Sequence, residues 1–335
     1  MKSKKIALIG GAGFIGHNLA IALKKCGHKP FIVDNLAINN MLSFTNNDIN
    51  NRKLYWALLN QRIDLLHEND IQINVEDARN YNAMCLLIGD QKPDVIIQLA
   101  AVSHANKSNK DPHTTFDHSL RTLENILDIA KGLKSHVIYF SSSMVYGNFK
   151  SDYVTEQSDC NPLGIYGTLK YTGELILKAY HRVFDIPYTI IRPSALYGER
   201  CVSRRVGQIF IENAVQGFDV SVAGDGSDRL DFTYIDDLIH GLILTIEKKQ
   251  AINETFNLTY GESRTIGEMA DIIKENFNNI DINYIPKDSL TPNRGTLNID
   301  KAKDLLGYNP KNSLNIGYPK YISWYKNFWN KSKLS

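Results

Sequence analysis

The stretch Ile6-Ala7-Leu8-Ile9-Gly10-Gly11-Ala12-Gly13-Phe14-Ile15-Gly16 decides how the chain is read. Its four apolar residues form a short strand. Gly10, Gly13 and Gly16 follow, and Phe14 to Lys25 then reads as a helix closed by Gly27. Only glycine permits so tight a turn and so close an approach of backbone to a diphosphate, and the helix N-terminus offers its free N–H groups to the phosphates. A Gly-x-Gly-x-x-Gly is weak evidence alone; between a strand and a helix it has the context its mechanism requires. Phe14 and Ile15, inside the motif, share the expected dinucleotide contact. Phe31-Ile32-Val33 forms the next strand and ends in Asp34, 18 residues after Gly16. A carboxylate there, followed by Asn35, accepts hydrogen bonds from the adenosine ribose and repels a 2′-phosphate, which selects NAD over NADP. The alternative for Asp34 is a simple turn residue.

Working outward, Val75-Glu76-Asp77 has the form of a third strand edge, with Asp77 and Ala78 placed to meet the adenine. Asp94 to Ala101 reads as a fourth strand running into Leu99-Ala100-Ala101, where small residues let backbone approach a cofactor. Strands alternating with helical segments predict βαβ units, hence an α/β doubly wound parallel sheet of the Rossmann kind. Leu36 to Ile73 is long for a crossover, rich in Asn, and helical over Lys53 to Glu68. It reads as an insertion that covers the adenosine, mediates a subunit contact, or lies passively on the surface.

Composition narrows the function classes. The 335 residues are 43% hydrophobic, enough for one large domain or two joined ones. With 38 basic and 36 acidic residues, nothing points to nucleic acid or an anionic membrane as a partner. No apolar run nears the roughly 18 residues that cross a bilayer. Cys26, Cys85, Cys160 and Cys201 are scattered, without metal or disulfide spacing, as in a cytoplasmic protein with reduced thiols. His104, His113, His118 and His136 also lack metal-ligand spacing and read as surface or loop histidines, so no metal is expected.

A second stretch carries chemistry. The apolar run Val137-Ile138-Tyr139-Phe140 ends in Ser141-Ser142-Ser143, and Tyr166 and Lys170 follow four residues apart in a helical segment. That spacing puts both on one helical face. A Lys ammonium beside a Tyr hydroxyl favours the phenolate. A Ser nearby can hold a substrate hydroxyl while its proton leaves. Together they suit proton removal from an alcohol as hydride departs. Tyr-x-x-x-Lys pairs also occur by chance on surface helices, so the meaning rests on the nicotinamide site at the N-terminus.

With these residues assembled, the chain resembles the extended short-chain dehydrogenase/reductases, specifically the NAD-dependent nucleotide-sugar epimerase/dehydratase family, from Gly10 to about Tyr308. Beyond the motifs above, Val145-Tyr146-Gly147, Arg192-Pro193, Leu196-Tyr197-Gly198, Gly224-Asp225-Gly226, Asp231-Phe232 and Asp236-Asp237 carry the resemblance. It implies an NAD domain over 1–192 and 233–258, and a smaller C-terminal α/β domain over 193–232 and 259–335 that binds a UDP-, GDP- or dTDP-linked sugar. It implies Tyr166 as general base, Lys170 on the nicotinamide ribose, Ser142 on the sugar hydroxyl with Ser143 beside it, and Pro193 next to the nicotinamide. It also implies a homodimer through the helices at Asp117–Lys131 and Tyr166–Phe184, with stripes such as Leu120, Leu123, Ile126, Leu127 and Leu175, Ile176, Ala179. The alternative is that these stripes face only the sheet.

Departures from the family pattern narrow the reaction. Where the family has an Arg gripping the substrate diphosphate stands Leu230, with Arg229 one residue early. Arg294 matches the family's second phosphate-binding Arg. Arg204 and Arg205 are extra basic residues that bind phosphate or lie on a solvated helix start. Ala195 and Ser119 replace usual asparagines. Dehydrating and decarboxylating members carry acidic residues just after the position of Ser142; here stand Ser143 and Met144. What remains is NAD-dependent oxidation at C4 of the sugar. That fits a 4-epimerase in surface-glycan precursor synthesis, or a 4-dehydrogenase releasing a 4-keto sugar. A non-catalytic nucleotide-sugar sensor is the reading from another class.

Overall fold

The computed structural model describes residues 2–45, 51–102, 105–286 and 292–332, the side chains of 105–107 excepted. His104 and residues 46–50 of the expected insertion lie outside the described residues. Seven strands make a wholly parallel sheet: β1 (Lys5–Ile9), β2 (Lys29–Val33), β3 (Gln72–Asn74), β4 (Val95–Gln98), β5 (His136–Phe140), β6 (Tyr188–Arg192) and β7 (Glu254–Asn257). Their spatial order is β7-β6-β5-β4-β1-β2-β3. The order reverses between β1 and β4, where a doubly wound sheet opens a crevice at its C-terminal edge. The third strand comes slightly earlier than expected. Pairing with β2 ends at Asn74, so Asp77 stands on the loop beyond it.

Side chains of the central strands alternate between two cores, because successive residues of a strand face opposite sides. Ile6, Leu8, Ile32, Ile97, Ile138 and Ile191 face one core. Ala7, Ile9, Phe31, Ile96, Val137 and Ile190 face the other. Helix α1 (Phe14–Lys25) and the inserted helix α2 (Arg52–Glu68) cover the first face. Helices α3 (Tyr81–Gln91), α4 (Thr122–Leu133) and α5 (Ile165–Phe184) cover the second. The α4 stripe of Leu123, Ile126 and Leu127 is wholly buried against the chain's own sheet. On α5, Leu175 and Val183 remain exposed. His136 is no surface residue: it is buried on β5, with Nε2 2.8 Å from Thr189 Oγ1, and burial pushes its pKa down to about 4.

After β6 the chain builds a smaller region from α6 (Val206–Val215), α8 (Ile266–Asn276) and α9 (Leu314–Lys331), returning between them through α7 (Ile235–Glu247) to pack beside α1. Short two-stranded pairings brace it, among them Arg229–Asp231 with Ser263–Thr265 and Val220–Ala223 with Ile282–Ile285. No helix among the described residues is long and apolar enough to cross a membrane. The inserted helix α2 is no passive cover. Its Leu54, Tyr55, Leu58, Leu59, Arg62 and Leu66 are buried. Tyr55 donates to the buried carboxylate of Glu212 on α6 at 2.8 Å. Gln208 and Tyr325 donate to the same carboxylate at 2.6 and 3.1 Å. This one acceptor therefore joins α2, α6 and α9.

Removing a shared acceptor strands several buried donors at once. Glu212→Leu is expected to cost about 2–4 kcal/mol of unfolding free energy. Urea denaturation measures it, and a loss below about 1 kcal/mol would mean that the three donors find other partners readily.

Candidate active site

The cavity at the C-terminal edge of β1, β2 and β4 gathers residues far apart in sequence. Gly10, Gly13, Phe14, Ile15, Gly16, Asp34, Asn35, Asp77, Ala78, Leu99, Ala100 and Ala101 all line it. Close packing explains the small residues. A Cβ on Gly10, which has φ +77°, would sit 2.7 Å from the Ala100 nitrogen. The turn therefore lies against the end of β4, with room above it for a ligand backbone could touch. Asp34 does more than face a ribose. Its Oδ2 accepts from the Ala12 N–H at 3.0 Å and its Oδ1 from the Leu36 N–H at 2.7 Å, fixing the glycine turn to the end of β2. Burial raises its pKa, and those amides oppose the rise. Asp77 is held well below the usual carboxylate range by its hydrogen bonds with Arg79, and Asn35 donates to it at 3.1 Å.

Arg62, His118, Thr122, Leu196, Ser203 and Arg205 line the same cavity and were not read from the sequence as cofactor residues. For Arg62 a signal existed: it is the one charge on the apolar face of α2. His118 lies within a π-turn at Asp117–Arg121 and Thr122 follows it; the turn shifts the helical phase, and both residues line the cavity.

Ser142, Tyr166 and Lys170 meet at the ends of β5 and α5. Gly167 brings the elements together: a Cβ there would lie 2.7 Å from the Met144 carbonyl oxygen, so α5 rests directly on the turn after Ser142. Lys170 Nζ donates to the Phe140 carbonyl at 2.6 Å. Burial lowers the Lys170 pKa to about 8, with Glu174 one turn on opposing the fall. Burial also raises the Tyr166 hydroxyl above the usual phenol range. The charge that opposes this comes from Arg205, and a hydrogen bond with Ser142 adds to it. The sequence pointed to Lys170 as the cation acting on Tyr166, and the structure adds Arg205. The Lys170 ammonium lies 6.0 Å from the Tyr166 ring centre and is committed to a carbonyl. Ser143 is buried, and its N–H donates to the Pro193 carbonyl at 2.9 Å, which ties the turn to the end of β6.

A second cavity adjoins the first, sharing Leu196 and Arg205 with it. Arg204, Arg205 and Arg294 line it over an apolar floor that includes Leu230, Phe232 and Met269. Burial lowers the Arg294 pKa to about 10, and the nearby charge of Arg205 lowers it further. Among the described residues, Arg294 Nε and the hydroxyls of Tyr197 and Tyr321, all lining this cavity, are buried without a partner. Such groups cost free energy until a polar ligand meets them. Arg229 is not brought into this group: its guanidinium is bonded to the Oγ and carbonyl of Ser263. Ala195 sits at φ +36°, a conformation that an asparagine adopts more cheaply.

The NAD dependent epimerase/dehydratase family matches residues 6–259. A Methanocaldococcus jannaschii protein provisionally named UDP-glucose 4-epimerase is 30% identical, over 96% of this chain and 98% of its own. The crystal structure of a Thermotoga maritima UDP-glucose 4-epimerase with UDP-glucose superposes with a TM-score of 0.85 at 25% identity, covering 96% of this chain and 99% of that one. That of a Bacillus cereus UDP-glucuronic acid 4-epimerase, in complex with UDP-glucuronic acid and NAD, gives 0.86 at 28% identity with the same coverage.

The cavity's acidic adenosine end makes a cofactor prediction. NAD is expected to bind at least about tenfold more tightly than NADP, because a carboxylate at Asp34 in this cavity would repel a 2′-phosphate. Competition binding by calorimetry checks this, and equal affinities would mean that the Asp34 carboxylate is spent on the turn alone.

Proposed function

The chain belongs to the NAD-dependent epimerase/dehydratase family, and we propose that within it the chain acts at C4 of a UDP-linked sugar as a 4-epimerase. One observation carries the choice of reaction. Among the described residues lining the two cavities, carboxylates occur only at the adenosine end, at Asp34, Glu76 and Asp77. Eliminating water or carbon dioxide from the sugar after C4 oxidation calls on further acid–base groups, each worth roughly 10²–10⁴-fold. Ser143 and Met144 offer no carboxylate beside Ser142, and Glu174 beneath them is committed to Arg192 and Ser141. The UDP-sugars bound by the Thermotoga and Bacillus enzymes support the choice of nucleotide.

NAD, when bound, supplies the hydride acceptor. Tyr166 takes the proton from the C4 hydroxyl, and Ser142 holds that hydroxyl. Lys170, fixed by the Phe140 carbonyl, holds the nicotinamide ribose, with Pro193 beside it. Arg294 and Arg205 grip the substrate diphosphate, helped by Arg204, since three guanidinium groups lining one cavity suit a dianion. Arg205, shared by both cavities, also eases Tyr166 toward phenolate. The exposed Leu175 and Val183 of α5 support a homodimer through that helix. Light scattering of Leu175→Glu against the parent tests it, and an unchanged mass would rule that face out.

Two outcomes are expected. With the true UDP-sugar, product mass equals substrate mass; loss of 18 mass units as the main outcome would overturn the reaction assigned. In Arg205→Leu the acid limb of the kcat–pH profile moves to higher pH. Removing a positive charge disfavours the phenolate and raises the Tyr166 pKa further. An unshifted limb would take Arg205 out of the electrostatics of Tyr166.

A further inference from the structure

Arg62 is the most costly side chain in the molecule to explain. It is 1% exposed, yet lines the cofactor cavity. Its Nε and Nη2 donate to the Arg200 carbonyl at 2.9 and 2.5 Å, and Nη1 reaches the Asn39 carbonyl at 3.5 Å. A guanidinium carries five N–H donors, so these carbonyls leave two unused. Among the described residues no carboxylate forms an ion pair with it. Asp34 acts on it only from beyond ion-pair distance, and each Asp34 oxygen accepts a backbone amide. Arg200 and His17, which pair with each other at 3.1 Å, add no negative charge. A buried cation satisfied only by neutral carbonyls is strongly unfavourable unless an anion arrives to complete it.

We infer that Arg62 is a binding residue for the diphosphate of the dinucleotide, delivered by the inserted helix α2 to the cavity that the N-terminus of α1 also lines. The glycine turn would supply N–H dipoles to the phosphates, and Arg62 a full charge. The same guanidinium holds the carbonyl of Arg200, at the start of the segment that carries Arg204 and Arg205 into the second cavity. Cofactor occupancy and the placement of the substrate-binding arginines therefore meet in one side chain. This rests on the chain's use of NAD and not on which sugar it transforms.

The test is equilibrium binding of ADP, adenosine and NAD to the full chain, by calorimetry, for the parent and two variants. Arg62→Gln is expected to weaken ADP and NAD by at least about tenfold while adenosine changes less than about twofold. Arg62→Lys keeps a charge on a shorter reach and serves if the Gln variant does not fold. It is expected to lower the ADP-to-adenosine affinity ratio by about threefold or more. Equal losses for adenosine and ADP would reduce Arg62 to a structural tie, and an unchanged ratio in both variants would overturn the inference. None of these readouts depends on turnover, so an error in the assigned reaction would not disturb them.

Discussion

The buried ion pair between Glu174 and Arg192 is the constraint around which the catalytic corner is built. Both side chains are essentially inaccessible, and the contact is two-pronged, at 2.6 and 2.9 Å. Taking two charges out of water costs about as much as their attraction returns, so the pair adds little to stability. Its value lies in position. Glu174 belongs to α5, Arg192 ends β6, and Ser141 at the end of β5 donates to the same carboxylate at 2.5 Å. Three elements are pinned at one point beneath Ser142, and Lys170 and Tyr166 lie one and two turns back along α5. Arg192 also reaches the Tyr146 hydroxyl at 3.0 Å, which extends the lock to the turn that follows Ser142. A helix free to slide would carry Tyr166 away from Ser142; this pair forbids the slide.

Charge is spent differently in the second cavity. There the Arg294 Nε is buried without a partner among the described residues, and burial already lowers the Arg294 pKa. Two like charges held near each other store an unfavourable interaction that a diphosphate relieves. The replacement of an expected arginine by Leu230 removes one cation from the floor of that cavity and leaves Arg205 to act from its rim. Because Arg205 lines both cavities, the cation proposed to grip substrate also opposes the rise in the Tyr166 pKa.

Much of this was legible in the sequence, and the limits of legibility have physical causes. The continuous apolar runs of β1, β2, β4 and β5 and the glycine turn are local, so the parallel sheet, the end of β2 at Asp34 and the glycine-turn cavity could be read. The bounds of α1 were read to the residue and those of α2 to within one. Tyr166 and Lys170 share a helical face, but spacing does not say which other cations act on the phenol. That depends on Arg205, from 39 residues on, and on the Phe140 carbonyl that captures Lys170. Arg229 looked available because alternation along a three-residue strand does not reveal that Ser263, on the partner strand, would hold it. His136 looked like a loop residue because its hydroxyl partner lies on a strand 53 residues later. The α4 stripe could not be assigned to a partner or to the sheet by periodicity, which is the same for both.

The inserted helix α2 turns these separate observations into a single mechanical arrangement. In a doubly wound domain with an appended region, the two halves commonly touch across a cleft and move against each other. Here α2 crosses that division at two depths. Tyr55 is fixed to Glu212 in the smaller region, and two turns later Arg62 is fixed to the Arg200 carbonyl beside the cleft. Both contacts are buried polar bonds, which are costly to break without replacement. The segment between β6 and α6, which Arg62 holds at Arg200, has Ala195, Arg200 and Arg204 at left-handed backbone angles. Strain of this kind persists only where surrounding structure enforces it. It collects in the segment that carries the substrate arginines, while the cofactor side is held rigid by the glycine turn, Asp34 and α2.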